Sequence, residues 1–188
     1  MIKGFFFDLD GTLVNTYKAD FLAYRDAVRE VINEELVEVE YAALHGMELG
    51  AKLAKLFPEL TEEQVSAIRK SKKKHYPKYV HLTQPNDSLI DFLAQLAKHQ
   101  LCVLVTTAKS ENAARVLDHH NLLQYFTHII SGDDVTEHKP SPAAYQLALQ
   151  KTGLQPQEVL AFEDSQSGID SAEAAGIPVV HIREFAAS

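Results

Sequence analysis

The sequence predicts an α/β fold: a doubly wound, mostly parallel sheet with an inserted α-helical domain. In the second half of the chain, short apolar runs of strand length alternate with helical patterns. A further apolar run at Phe5–Phe7 stands near the beginning, and between about residues 17 and 82 the patterns are helical only. We therefore expect one sheet, covered by helices on both faces, with the helical block inserted after its first strand.

The first predicted strand, Ile2–Phe7, stops at acidic residues and Gly11, as a buried strand does where it enters a loop. In the helical block, Thr61 and Gln64 form a capping box that marks the start of a helix. The helices predicted there span about 19–34, 39–44, 49–57 and 61–77.

The second half is predicted to contain strands at 101–105, 128–131, 159–162 and 179–182, and helices at about 89–96, 111–120, 141–152 and 168–175. Ser141 as N-cap, Pro142 at the first helical position and Gly153 just past the end delimit one of these helices. We accordingly divide the chain into a core domain, residues 1–16 and 83–188, and a helical domain, residues 17–82.

Composition excludes several functional classes. The 188 residues carry a net charge of −8, so the overall field does not attract nucleic acid or an anionic membrane surface. The single cysteine, Cys102, lies in an apolar run and allows no disulfide framework within the chain. We expect no signal peptide, no membrane span and a cytoplasmic location. Nothing in the sequence indicates the oligomeric state.

Polar residues follow the predicted strands at the points where the strands end. In a doubly wound sheet, ligands bind beyond the carboxyl ends of the strands, where the strand order reverses. The residues delivered to this edge are Asp8 and Asp10 after the first strand, Thr106 and Thr107 after the second, Lys139 in the loop after the third, and Glu163 and Asp164 after the fourth.

Four carboxylates at one edge require a cation. Two like charges about 4 Å apart repel by roughly 4 kcal/mol at an effective dielectric constant near 20, and one lysine cannot compensate for four acids. Ligands that are all oxygen favour a hard ion, above all Mg²⁺. A cation held beside hydroxyls and a flexible backbone is a receptor for phosphate, and an ionised aspartate directed at the phosphorus can attack it. The expected phosphate-binding residues are Gly11, Thr106, Thr107 and Lys139.

The motifs DLDGT (Asp8–Thr12), VTT (Val105–Thr107), HKPSP around Lys139 and EDSQSGIDSAEAAG from Glu163 resemble, in order and spacing, the four motifs of the haloacid dehalogenase-like (HAD) superfamily of phosphotransferases. Within it, the chain is most similar to the β-phosphoglucomutase and phosphoglycolate-phosphatase-like branch. The resemblance covers essentially all residues. It implies a HAD-like, Rossmann-type core, and the helical insert is similar to the small helical cap of that family.

The resemblance also implies a role for each matched residue. Asp8 would be the nucleophile, while Asp10 would protonate the leaving oxygen and then activate water. Asp8, the backbone carbonyl of Asp10, and Asp164 would hold Mg²⁺, with Glu163 in support. Lys139 would bind the phosphoryl group and steady Asp8.

Candidate substrate contacts are His45, Gly46 and Lys52 in the helical domain, with Thr16 and Lys109 from the core domain. Asn15 stands where this branch often has Asp, and His45 and Leu49 stand where cations are expected. These departures weaken an assignment as a mutase.

The sequence therefore predicts a Mg²⁺-dependent phosphohydrolase that acts on a small phosphorylated metabolite through an aspartyl-phosphate. One alternative is an isomerase of the β-phosphoglucomutase type, which returns the phosphoryl group to the sugar. The other is a metabolite-binding protein without catalytic activity. The motifs do not specify which metabolite is bound.

Overall fold

The computed structural model of the protein describes residues 1–44 and 49–183. In chain order, its strands are β1 (Gly4–Phe7), β2 (Val14–Asn15), β3 (Gln84–Pro85), β4 (Leu101–Val105), β5 (His128–Ile130), β6 (Val159–Glu163) and β7 (Val179–His181). Its α-helices are α1 (Tyr17–Ile32), α2 (Glu38–Ala43), α3 (Leu49–Leu56), α4 (Glu62–His75), α5 (Asp87–Leu96), α6 (Ser110–His119), α7 (Ala143–Thr152) and α8 (Gln166–Ala174).

Five of these strands form one parallel sheet in the order β5–β4–β1–β6–β7. From β1 the chain first builds the β4 and β5 side and then crosses to build the β6 and β7 side. The strand order therefore reverses at β1, which is the position where a doubly wound sheet binds ligands. The predicted α/β fold is confirmed.

Strands β2 and β3 form a second, antiparallel pair that the sequence did not predict. Each has two residues, which is too short to produce a recognisable alternation of apolar and polar side chains. The pair joins the two chain segments between which the helical block is inserted.

The sheet is held together by aromatic and aliphatic side chains on both faces. Phe6 and Phe7 point to opposite faces and are fully buried. Phe6 stacks on Tyr145 of α7, and Phe7 stacks on Phe162 of β6, with ring centroids 4.7 Å apart. Burying each such side chain stabilises the fold by roughly 1.5–3 kcal/mol. The apolar run before Asp8 is thus what fixes the end of β1 in space.

The chain divides into two compact units, Met1–Asn15 with Gln84–Ser188, and Thr16–Thr83. Each boundary between the two units differs by one residue from the domain boundary expected from the sequence. In the helical unit, α1 packs against α4 around a core that includes Phe21, Val28 and Ile68. None of the helices in the described ranges has the length and apolar character needed to cross a membrane.

Helix ends mostly follow the sequence signals. The Thr61–Gln64 capping box is present, and Gly153 ends α7 with a left-handed φ of 69°. The start of α7 differs, because Pro142 is the N-cap and the helix begins at Ala143. The Ser141 hydroxyl donates to the Glu137 carboxylate at 3.0 Å and accepts from the backbone N–H of Ala143, the first residue of the helix, at 3.4 Å.

Candidate active site

The register of the sheet brings the ends of β1, β4 and β6 together. Phe7 lies opposite Leu104 on one side and Phe162 on the other. The next residue, Asp8, donates its backbone N–H to the carbonyl of Phe162 at 3.0 Å. Because the three strands are parallel and in register, Asp8, Thr106 and Glu163 are neighbours at one edge.

The ammonium of Lys139 is the centre of this edge. Its Nζ lies 2.7 Å from Oδ1 of Asp8 and 2.6 Å from Oε1 of Glu163, and it also donates to the carbonyl of Val105 at 2.8 Å. The side chains of Lys139, Asp8 and Glu163 are 4%, 9% and 0% exposed. One buried cation is therefore shared by two buried carboxylates, and it can offset the charge of only one of them.

Burial and mutual charge shift the pKa values of these groups. Burial alone would lower the pKa of Lys139, but the charges of Asp8 and Glu163 raise it above its ordinary value, so the ammonium stays protonated. Burial, with the charge of Asp8, raises the pKa of Glu163 to about 8 despite the opposing effect of Lys139. The same two causes raise the pKa of Asp164. The positive charge near these acids is therefore too small to compensate for all of their negative charge.

The two oxygens of Glu163 have different surroundings. Oε1 accepts from Lys139 and also from the hydroxyl of Tyr145, 2.5 Å away. Oε2 is buried with no hydrogen-bond partner among the described residues, and it lies so close to Gly168 that a Cβ there would overlap it. Burial, with the charge of Glu163, raises the pKa of Tyr145 well above its usual value, so its hydroxyl stays a donor.

Asp164 is held by the turn that follows β1. The Thr12 hydroxyl donates to its Oδ1 at 2.9 Å. Gly11 has a left-handed φ of 92°, and a Cβ there would overlap the carboxylate of Asp164. Glycine is therefore required at position 11 both by the backbone conformation and by the close approach of the acid.

Asp8, Glu163 and Asp164 form a group that could hold a metal ion. Each offers a carboxylate oxygen, and these atoms lie within 4.8 Å of one another. The all-oxygen donor set suits a hard cation such as Mg²⁺, and an acceptor without a partner at Oε2 of Glu163 leaves a further oxygen available. The residues present therefore fit a divalent cation.

Asp10 lies beside this group, and its carboxylate is not part of it. Its Oδ2 is 3.4 Å from the Thr106 hydroxyl, which also accepts from the backbone N–H of Ala108 at 3.0 Å. Asp10 is partly exposed and Thr107 is exposed, whereas Thr106 is buried. The edge thus has an enclosed acidic interior, and its polar rim faces solvent.

Lys109 is engaged in a loop contact. Its Nζ lies 3.1 Å from Oδ1 of Asp133 and donates to the carbonyl of Gly132 at the same distance. Asp133 also accepts from the backbone N–H and hydroxyl of Ser110. These bonds connect the loop after β4 to the loop after β5, from which Lys139 comes.

Two of the candidate substrate residues can be described in the helical unit. Thr16 is the residue that precedes α1. Lys52 lies in α3, with its Nζ 4.6 Å from the centroid of the Tyr41 ring, and burial lowers its pKa. His45 and Gly46 lie outside the described residues.

Three residues of this edge were not among those expected from the sequence: Thr12, Tyr145 and Gly168. Thr12 lies inside the DLDGT motif, and a hydroxyl two residues after Asp10 is the sequence feature that could have identified it as part of the site. In the sequence, Tyr145 fits the pattern of a buried aromatic residue on a helix, and Gly168 fits the start of a helix. No local pattern connects either of them to Glu163.

Comparisons with known proteins show which proteins the chain resembles. The chain is 27% identical over 184 residues to fructose-1-phosphate phosphatase YqaB of Escherichia coli (strain K12), with 96% of each protein covered. It is 33% identical over 195 residues to a phosphoglycolate phosphatase of Yersinia pseudotuberculosis, covering 95% of this chain and 80% of that protein.

Among solved structures, a Thermotoga maritima protein assigned as a beta-phosphoglucomutase superposes with a TM-score of 0.74 at 27% identity, covering 98% of this chain and 88% of the other. Residues 5–182 match the family model described as haloacid dehalogenase-like hydrolase. This match spans the sheet, the acidic edge and the helical unit, and it confirms the resemblance of the sequence motifs. The chain therefore belongs to the haloacid dehalogenase-like hydrolase family.

Proposed function

We propose that this chain is a Mg²⁺-dependent phosphohydrolase that transfers the phosphoryl group of a small phosphorylated metabolite to Asp8 and then to water. The observation that carries this proposal is the Lys139 ammonium shared by Asp8 and Glu163, beside a third carboxylate on Asp164. Such an edge can attract a dication, and the dication together with Lys139 can attract a phosphate.

Asp8 is the proposed nucleophile. Its backbone N–H is bonded to Phe162, and its Oδ1 is bonded to Lys139, so the position and the rotamer of the carboxylate are both fixed. Attack forms a bond from a carboxylate oxygen of Asp8 to phosphorus while the bond from phosphorus to the leaving oxygen breaks. The product of this step is an aspartyl-phosphate.

Asp10 is the proposed acid and base. It is partly exposed and bonded to Thr106, so it can reach both a leaving oxygen and a water molecule. It gives its proton to the leaving oxygen in the first step. In the second step it removes a proton from water, whose oxygen attacks the phosphorus and releases phosphate from Asp8.

Asp8, Asp164 and the backbone carbonyl of Asp10 would hold Mg²⁺, with Glu163 in support. When bound, the ion offsets the repulsion among the carboxylates and draws in the phosphoryl oxygens. Gly11, Thr106, Thr107 and Lys139 are the proposed phosphate-binding residues.

The names of the relatives favour a small phosphorylated sugar or phosphoglycolate as the substrate. We propose that Thr16, Lys52 and residues 45–46 of the helical unit contact the part of the substrate that carries no reacting phosphate. Lys109 has a carboxylate partner in Asp133, which favours a role in the loops over one at the substrate. A cytoplasmic location stays a prediction.

A mutase is the second candidate, favoured by the similarity to the Thermotoga maritima protein. Both candidates use Asp8 and Asp10, and only the fate of the aspartyl-phosphate separates them. Incubation with glucose 1-phosphate distinguishes them, because a hydrolase releases free phosphate and a mutase produces glucose 6-phosphate.

The test of the proposal is a screen of the purified chain against fructose 1-phosphate, phosphoglycolate, other sugar phosphates and pyrophosphate. Each assay is run with Mg²⁺ and with a chelator. We expect phosphate release from at least one compound, lost in chelator and restored by added Mg²⁺. Turnover that is equal in chelator would contradict the proposed metal dependence, and no turnover on any compound would favour a binding protein.

A further inference from the structure

The hydroxyl of Tyr145 is a polar group at the acidic edge that lies outside the four sequence motifs. Tyr145 is fully buried on α7, and its ring stacks on Phe6 at an interplanar angle of 18°. Packing on Phe6 would need only the ring, yet the hydroxyl donates to Oε1 of Glu163 at 2.5 Å. The position therefore provides a hydrogen-bond donor in addition to an apolar surface.

The hydrogen bonds of Lys139 suggest what this donor does. An ammonium group has three N–H donors, and Lys139 directs them at three acceptors: Asp8, Glu163 and the carbonyl of Val105. A phosphoryl oxygen can therefore bind to this ammonium only if one of the three existing bonds weakens or breaks.

Of the three hydrogen bonds that Lys139 donates, the one to Glu163 is the least unfavourable to break. Oε1 of Glu163 has a second donor in Tyr145, whereas Oε2 has none among the described residues. If the Tyr145 hydroxyl were absent, the loss of the bond to Lys139 would leave a fully buried carboxylate with no hydrogen-bond donor among the described residues, which is strongly unfavourable. With the hydroxyl present, Glu163 keeps one hydrogen bond throughout the exchange.

We propose that Tyr145 is a positioning residue that keeps Glu163 hydrogen-bonded while Lys139 exchanges its bond to Glu163 for a bond to a phosphoryl oxygen. This inference rests on the proposed function. Tyr145 touches neither the substrate nor the reacting atoms. It acts by lowering the cost of releasing Lys139, and its contribution is therefore made to phosphoryl-group binding.

The test is Tyr145→Phe, which removes the hydroxyl and keeps the ring on Phe6. Tyr79→Phe is a matched control, because the Tyr79 hydroxyl donates to a carboxylate of Asp26 at 2.6 Å in the helical unit. At saturating Mg²⁺, with a phosphate ester that the wild type hydrolyses, we expect Tyr145→Phe to raise KM and the inhibition constant of inorganic phosphate by about 10-fold, with kcat within about 3-fold of wild type. Tyr79→Phe should leave both constants unchanged.

A loss of packing alone would lower the thermal midpoint and leave phosphate inhibition unchanged in the fraction that stays folded, and this result would overturn the proposal. So would an equal change in the Tyr79→Phe control. The assays are run well below the thermal midpoint of each variant, measured by circular dichroism. A wild type that hydrolyses no ester contradicts the proposed function itself, whereas an active wild type with an unaffected Tyr145→Phe variant contradicts only the role of Tyr145.

A double-mutant cycle shows whether Tyr145 acts through Glu163. In a Glu163→Gln background the group is neutral, so leaving it without a donor costs less. We expect Tyr145→Phe to weaken binding of inorganic phosphate, measured by calorimetry, by less than about 3-fold in that background. A 10-fold effect in both backgrounds would mean that Tyr145 does not act through Glu163.

Discussion

Lys139 and Asp8 are joined by a buried ion pair, with Nζ 2.7 Å from Oδ1, although they are 131 positions apart in the sequence. The same ammonium is 2.6 Å from Glu163. Asp8 is therefore held as a charged group inside the protein by a cation that it has to share. This sharing explains why the edge attracts further positive charge.

Asp8→Asn should abolish turnover, with a loss of at least about 10³-fold in kcat/KM, because the amide cannot attack phosphorus. The side-chain volume is unchanged, and Lys139 then has one fewer anion to neutralise, so the metal-free protein should stay folded with an unchanged or higher thermal midpoint. Phosphate release and circular dichroism measure the two quantities. Asp118→Asn, at an exposed position on α6, is the control. Asp8→Asn with wild-type turnover would exclude Asp8 as the nucleophile.

Lys139→Met should destabilise the metal-free protein by about 3–5 kcal/mol, because Asp8 and Glu163 lose the cation that both contact. Added Mg²⁺ should recover part of this loss. Urea unfolding with Mg²⁺ and with chelator measures it. Lys72→Met is the matched control: the Lys72 side chain is 11% exposed and pairs with the carboxylate of Asp20. The control should show no recovery by Mg²⁺, and equal recovery in both variants would argue against a cation site beside Lys139.

The stability of the metal-free protein should fall as the pH rises from about 4.5 to 8. The pKa of Glu163 is raised from 4.5 to about 8 in the fold, so the folded state binds a proton that the unfolded state releases in this range. Each pH unit then costs up to about 1.4 kcal/mol from this group. This is the opposite of the usual carboxylate in a salt bridge, whose pKa is lowered and which loses stability in acid.

Glu163→Gln removes this titration, so stability should fall less steeply with pH in that variant. In the wild type, Mg²⁺ favours the ionised form of Glu163 and should also reduce the fall. Urea unfolding at pH 5 and pH 8, with chelator and with Mg²⁺, gives the slopes. Asp164, whose pKa is also raised, lowers the stability with rising pH in both proteins. Identical slopes for wild type and Glu163→Gln in chelator would contradict the assigned cause.

Much of this edge was predictable because strand ends are marked in the sequence. The apolar runs FFF, LCVLV and VLAF stop at acids or threonines, and parallel strands in register must bring those stops together. The proximity of Asp8, Glu163 and Asp164 follows from this rule. The place of Lys139 followed less directly, because a loop residue has no register to fix it.

Other features had no local signal. The bond from Tyr145 to Glu163 joins a helix to a strand, and a tyrosine on the buried face of α7 is fully explained by its packing on Phe6. The pair β2 and β3 is too short to show a period. Ser141 was predicted to be the N-cap of α7, but the helix begins one residue later than expected, with Pro142 as the N-cap. For Tyr145 and for the β2–β3 pair, contacts between residues distant in the sequence decide among several local possibilities.

Gly168→Ala should weaken Mg²⁺ binding by about 10- to 100-fold, because a Cβ at this helical position would overlap Oε2 of Glu163 and displace its carboxylate. Titration calorimetry measures the affinity independently of turnover. Gly153→Ala is the control: Gly153 has nothing within 4 Å of the added Cβ, but its φ of 69° strains any other residue, so it should lose stability and keep its Mg²⁺ affinity. If both variants lost stability and neither lost affinity, Glu163 would have no part in holding the ion.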